Sequence, residues 1–183
     1  MLNLNFNPFP IIHTERLILR EMTDKDLPEI FFQRSDPRMM KYVDRAPARS
    51  MDDAREFFTR IKAAQFANEG INWGITLKNE PKLIGNIGIW RIEQEHHRAE
   101  IGYALHPEHQ GKGIMHEALK AVLNYGFDTM KLHSVEANVN PENRASIKLL
   151  ERNNFIKEAH FKENYFFDGK YLDSAIYSLI NPL

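Results

Sequence analysis

The chain has 183 residues, 43% hydrophobic and 27% charged, enough apolar side chain for one buried core in one domain of ordinary size. Lys plus Arg at 24 against Asp plus Glu at 25 leaves a net charge of −1, without the basic excess on which nucleic-acid and membrane-surface binding rests. The absence of cysteine excludes disulfides, thiolate zinc sites and a cysteine nucleophile; with no targeting segment in residues 1–10 and no run near the roughly 18 apolar residues of a membrane span, a cytoplasmic protein is expected.

In chain order, residues 14–20 alternate between polar and apolar and predict a half-buried strand. Thr23-Asp24-Lys25-Asp26 offers a helix N-cap ahead of Leu27, Ile30 and Phe31, and Pro37 opens a short helical turn. Ser50-Met51-Asp52-Asp53 resembles a capping box, and the helix behind it carries Phe57, Phe58 and Ile61 and stops near Gly70. Strands are predicted over 73–77, 83–92 and 99–105, the last two joined by the charged tip 93–97. A helix runs from about 113 to 130, with Met115, Ala118, Leu119, Val122 and Leu123 on one face. A strand over 134–139, a helix over 142–153 and two strands over 157–166 and 171–179 close the chain. The order β-α-α-β-β-β-α-β-α-β-β implies an α/β domain, a mixed sheet of about seven strands with helices on its faces. Residues 99–139 form a βαβ unit whose strands should be parallel. Phe161, Tyr165, Phe166, Phe167 and Tyr171 crowd the last hairpin. They read as core at the sheet edge, with an oligomer contact or an acceptor-pocket wall as the alternative.

The chemically informative stretch is Leu105-His106-Pro107-Glu108-His109-Gln110-Gly111-Lys112-Gly113-Ile114-Met115. A strand ends, Pro107 breaks it, and a loop with two glycines opens a helix. Helix starts present unpaired N–H groups and a positive dipole end, glycines let the backbone approach an anion, and Lys112 adds charge. The spacing is neither a Walker P-loop nor a complete G-x-G-x-x-G. Taken alone, the loop reads equally as a diphosphate cradle or as a strand-helix turn whose glycines serve geometry only.

Gln110-Gly111-Lys112-Gly113-Ile114-Met115 resembles the Q/R-x-x-G-x-G/A acetyl-CoA motif of GNAT acetyltransferases. Further matches are to the Rim-type branch, which acetylates protein N-termini such as those of ribosomal proteins. They are Thr14-Glu15-Arg16-Leu17, Leu83-Ile84-Gly85, Ala99-Glu100-Ile101-Gly102-Tyr103, Glu117-Ala118-Leu119, Asn138, Asn143-Arg144-Ala145-Ser146 and Asp173. The matches span nearly the whole chain. Met115 stands where the motif prefers Gly or Ala, which should narrow the space near the phosphates. Asn154 replaces a glycine at a helix end, where Asn is the next-best residue for a left-handed cap. Leu150 stands where many relatives place a tyrosine general acid.

The resemblance implies a GNAT fold in which strand 99–105 splays from strand 134–139, and acetyl-CoA as cosubstrate lying in the gap. Main-chain groups of Ala104 and Leu105 would pair with the pantetheine arm. N–H groups of Gln110, Gly111, Lys112, Gly113, Ile114 and Met115 would hold the diphosphate. Asn138 and Asn143 would contact the coenzyme, Asn143 being otherwise a simple helix cap. Glu100 is the candidate base or amine anchor, with a structural carboxylate holding an arginine as the alternative. Ser146 is the candidate proton donor to the departing thiolate, or else a packing residue. The histidines lack coordinating spacing, so no metal is expected. The acceptor implied is a protein N-terminal amine, with a small amine (an amino acid, polyamine or antibiotic) as the rival, and a non-catalytic coenzyme A scaffold as a rival of another class. No nucleic-acid or membrane partner is expected, and a homo-oligomer is left open.

Overall fold

The computed structural model describes residues 1–182. Its strands are β1 (Ile12–His13), β2 (Leu17–Arg20), β3 (Ile71–Leu77), β4 (Glu80–Glu93), β5 (Arg98–Leu105), β6 (Ser134–Val139), β7 (Ile156–Phe167) and β8 (Lys170–Ile180). The helices are α1 (Leu27–Ser35), α2 (Pro37–Met40), α3 (Met51–Phe66), α4 (Ile114–Asn124) and α5 (Arg144–Arg152). One mixed sheet runs in the order β1-β2-β3-β4-β5-β6-β8-β7. All neighbours are antiparallel except β5 and β6, the two strands of the βαβ unit.

The sheet has eight strands rather than about seven. The first predicted strand starts only at Leu17 because Thr14 and Arg16 turn away to bind Glu117. Ile12 and His13 then fold back against Leu19 and Ile18 as a separate short strand. The predicted helix over 113–130 also changes character. It is α-helical to Asn124, and a π turn follows over Tyr125–Thr129, closed by the Met130 N–H on the Tyr125 carbonyl at 3.0 Å.

The capping box expected from the sequence holds the start of α3, while Thr23 caps a 3₁₀ turn over Asp24–Asp26 that leads into α1. Ser50 accepts from the Asp53 N–H at 3.2 Å, while Asp53 accepts from the Arg49 and Ser50 N–H groups. Asn154 takes φ 65°, the left-handed turn that ends α5.

Apolar residues from the two sheet faces make two cores. The larger joins Trp73, Ile87, Ile89, Ile101 and Val135 to Ala118, Leu119 and Val122 of α4. The smaller joins Leu27 and Ile30 of α1 to Ala54 and Phe58 of α3 under Met22 and Leu83. Leu150 is fully buried in the larger core, so its position serves packing. The last hairpin departs from the core reading. Phe161 and Phe166 are 49% and 61% exposed because they lie on β7, the outer strand of the sheet, and Tyr171, 65% exposed, pairs with Phe166 at the turn end of β8 beyond the reach of β6.

β5 and β6 pair only through Arg98–Ser134, Ala99–Val135 and Glu100–Glu136. Beyond that point β5 stays on β4 out to Leu105, while β6 stays on β8 out to Val139. The strands diverge, and a gap opens between them. Trp90 of β4 packs over Gly102 in this region, where a Cβ would collide with its ring. Gly102→Val should therefore lose about 1–3 kcal/mol of unfolding free energy through overpacking, read by urea denaturation.

Candidate active site

The glycine loop is held open by its own backbone. After β5 a short 3₁₀ turn, Pro107–His109, leads into Gly111 at φ 73° and Gly113 at φ 74°, left-handed values that glycine adopts without strain. Gly113 is the N-cap of α4 and no side chain caps the helix. Among the described residues, the N–H groups of 111–116 have no acceptor, the first bond back into the turn being the Glu117 N–H on the Gly113 carbonyl. A Cβ placed at Gly111 would meet nothing within 4 Å. These are the features of an anion cradle.

Three expectations for this loop need correction. The Gln110 N–H is already given to the Pro107 carbonyl at 3.2 Å, and its side chain donates from Nε2 to the Leu105 carbonyl at 2.9 Å. Gln110 thus braces the loop to the strand end, and the open row of donors starts at Gly111. Met115 points into the larger core and is 8% exposed, so its side chain does not narrow the space outside. The third concerns Ala104. The His106 N–H bonds the Ile84 carbonyl at 2.8 Å, and antiparallel pairing repeats that direction every second residue. The main-chain groups of Ala104 therefore face Asn86 on β4, and a Cβ at Gly85 would run into the Ala104 carbonyl. Those of Tyr103 and Leu105 face the gap instead.

What fixes the loop is Arg16. Its Nε donates to Glu117 Oε2 at 2.6 Å and its Nη1 to the Lys112 carbonyl at 2.9 Å. Glu117 Oε1 accepts from the Thr14 hydroxyl at 2.6 Å and the Arg16 N–H at 2.8 Å. Burial pushes the Glu117 carboxyl up, but the bonds from Thr14 and Arg16 outweigh it and hold it below the usual carboxylate range.

A cavity of about 590 Å³ opens on the α1–α3 face of the sheet, lined among others by Glu100, Gly102, Ala104 and Asn138. Glu100 is 8% exposed and accepts from Arg91 Nη1 at 2.6 Å through Oε2, so it does hold an arginine while lining the cavity. Asp44, a residue the sequence did not single out, also lines it. Its side chain has no partner among the described residues, and burial raises its pKa. Asn72 lines the same wall, and its Oδ1 is buried without a hydrogen-bond partner.

Tyr103 and Ser146 meet on the opposite face, hydroxyl to hydroxyl at 2.8 Å. Burial, partly offset by the Ser146 bond, pushes the Tyr103 hydroxyl up to about 12, so it keeps its proton through neutral pH. Tyr103 went unassigned in the sequence because its partner lies 43 residues away on α5. Asn143 is the N-cap of α5, its Oδ1 taking the Ser146 N–H at 3.1 Å, and this fixes the serine beside Tyr103. No group of three or more His, Asp or Glu side chains is arranged to hold a metal ion among the described residues, and none of their helices is long and apolar enough to cross a membrane.

The geometry agrees with what the chain is similar to. Residues 16–156 match the acetyltransferase (GNAT) domain family. An uncharacterised N-acetyltransferase of Bacillus subtilis is 36% identical over 174 residues, 95% of this chain and 98% of that protein. The ribosomal protein uS5-alanine N-acetyltransferase of Escherichia coli is 32% identical over 111 residues, 60% of this chain and 57% of that protein. The crystal structure of spermidine N-acetyltransferase from Vibrio cholerae, in complex with CoA and spermine, superposes with a TM-score of 0.81 at 27% identity, covering 91% of this chain and 96% of that one. The protein belongs to the GNAT acetyltransferase family and is an N-acetyltransferase.

The Arg16 clamp gives a direct expectation. Arg16→Ala should weaken coenzyme A binding about tenfold, as calorimetry reads it, while costing under about 1 kcal/mol of stability because the arginine side chain is 45% exposed. Glu117, held low in the fold, stabilises it above the ordinary glutamate pKa. That contribution should fade as pH falls below that value, with a parallel fall in coenzyme affinity.

Proposed function

We propose that the protein transfers an acetyl group from acetyl-CoA to a protein N-terminal α-amine, by direct attack with both substrates bound. The observation that carries this reading is that three features meet on β5 and the loop that follows it: free N–H groups at 111–116, a gap between β5 and β6, and a cavity lined by Glu100, Gly102 and Ala104. When bound, acetyl-CoA supplies a thioester, an acyl group already activated toward an amine. The protein's own groups then bind, orient and move protons.

The amides of Gly111 to Met115, with Lys112 beside them, bind the diphosphate. The gap-facing main chain of Tyr103 and the N–H of Leu105, whose carbonyl is taken by Gln110, hold the pantetheine arm as a neighbouring strand would, with Asn138 lining the cavity from β6. Asn143 positions Ser146 through its Oδ1 and offers its Nδ2 to the coenzyme. Glu100 takes the proton that the attacking amine loses. A terminal α-amine has a pKa near 7.7–8.0, so a fair fraction is already neutral and the base has modest work. Ser146, backed by the protonated Tyr103, gives a proton to the departing thiolate. One proton leaves the amine and one reaches the sulfur, so the step balances. The uS5-alanine relative supports the N-terminal acceptor, and the spermidine enzyme keeps a small amine as the second reading.

The test is thiol release from acetyl-CoA with a panel of peptide N-termini and small amines. Release with a peptide is expected, and release with small amines alone would replace the N-terminal reading. Glu100→Gln should lower kcat about 10²-fold or more with coenzyme binding unchanged; an unchanged rate removes it from the role. Tyr103→Phe should lower kcat while leaving coenzyme affinity alone. Because the folded-state pKa of Tyr103 is raised, the wild-type rate should not fall as pH approaches about 10, the ordinary tyrosine value.

A further inference from the structure

The cavity wall on the α1–α3 side carries more guanidinium than carboxylate. Arg34 of α1, Arg45 of the connection between α2 and α3, Arg60 of α3 and Arg91 of β4 all line it. Arg91 is matched by Glu100. Arg60 reaches Glu56 at 3.4 Å, a pair whose two side chains stand mostly in solvent. Arg34 and Arg45 have no carboxylate partner among the described residues. Arg34 is half-buried with its guanidinium 4.7 Å from the centre of the Phe57 ring. Burial depresses its pKa, and the charges of Arg45 and Arg60 depress it further. A desolvated cation among cations is costly in the free protein, and a fixed planar donor set of this kind suits a carboxylate.

The carboxylates of the same cavity are disposed differently. Asp173 is taken by His160 at 2.7 Å and by the Glu163 N–H at 2.9 Å. Asp44 stands unpaired, on a segment pinned by the Tyr165 hydroxyl on the Asp44 carbonyl at 2.8 Å and by the Ala48 N–H on the Arg34 carbonyl at 2.7 Å. The cavity thus offers Glu100 and Asp44 to an ammonium group and Arg34, Arg45 and Arg60 to an anion.

We propose that Arg34, Arg45 and Arg60 form an anion seat, and that the acceptor is an amine carrying its own carboxylate within the span of this cavity. The inference rests on acetyl transfer taking place in the same cavity. An acidic peptide N-terminus and a free acidic amino acid share this chemistry. A polyamine does not: it brings only positive charge to a wall already positive.

The experiment measures kcat/KM by thiol release for a set of N-terminal peptides differing only in charge at the second to fourth residues (acidic, neutral or basic), and for glutamate and spermidine. The acidic peptide is expected to exceed the neutral one at least tenfold. If glutamate does so and the peptide does not, the anion seat stands and the acceptor is the small acid. The double variant Arg45→Glu/Arg60→Glu changes two exposed side chains and should abolish or invert the preference. A preference for the basic peptide or spermidine, or one unmoved by the double variant, overturns the proposal. Absence of thiol release with every acceptor counts against the transfer reading itself. Calorimetry of the acidic peptide on the coenzyme-loaded protein then decides separately: binding lost in the double variant supports the seat, and no binding, or equal binding, overturns it.

Discussion

Backbone donors left without acceptors are the constraint on which this molecule turns. A buried or organised N–H needs a partner, and the fold leaves a run of them open from Gly111 to His116. Two left-handed glycines make the run possible, and three contacts keep it from collapsing onto itself. Gln110 ties the loop to the end of β5, Arg16 holds the Lys112 carbonyl, and Glu117 fixes Arg16 and Thr14 from the first turn of α4. The helix dipole and these donors together make a place for negative charge that costs no rearrangement when it is filled.

The second element is the parting of β5 and β6 after three residue pairs. Parallel strands that separate expose main-chain groups in mid-sheet, normally an unfavourable arrangement. Here the exposed edge runs from the donor loop to the point where Glu100 lies on one face of β5 and Tyr103 on the other. Alternation along a strand thereby puts the carboxylate of Glu100 and the hydroxyl of Tyr103, the proposed proton acceptor and donor, on opposite faces of the sheet. In the mechanism we propose, the two hydroxyls of Tyr103 and Ser146 supply the proton that the buried Leu150 cannot.

Much of this was legible in the sequence, for local reasons. Periodicity and capping residues located the elements, and the glycine spacing of residues 110–115 located the loop, because each signal involves residues a few positions apart. What the sequence left unassigned or misread was long-range. The use of Arg16 depends on Lys112 and Glu117, about a hundred residues on, and that of Tyr103 on Ser146. The direction of the Ala104 main chain follows from register with β4. Apolar composition suggested core for Phe161, Phe166 and Tyr171, but topology put the first two on the edge strand β7 and the third at the turn end of β8, where β6 no longer covers it, and left them in solvent. The arginines facing the cavity come from α1, α3 and the connection between them, and only the fold brings them together.

Backbone amide spectra recorded by ¹⁵N–¹H correlation during titration with coenzyme A test the central claim most directly. The account predicts that the largest shifts fall on the amides of residues 111–116, with smaller ones along 103–105, and that dephosphorylated pantetheine reproduces only the second set. Shifts confined to another surface, or an unperturbed glycine loop at saturating coenzyme, would contradict it.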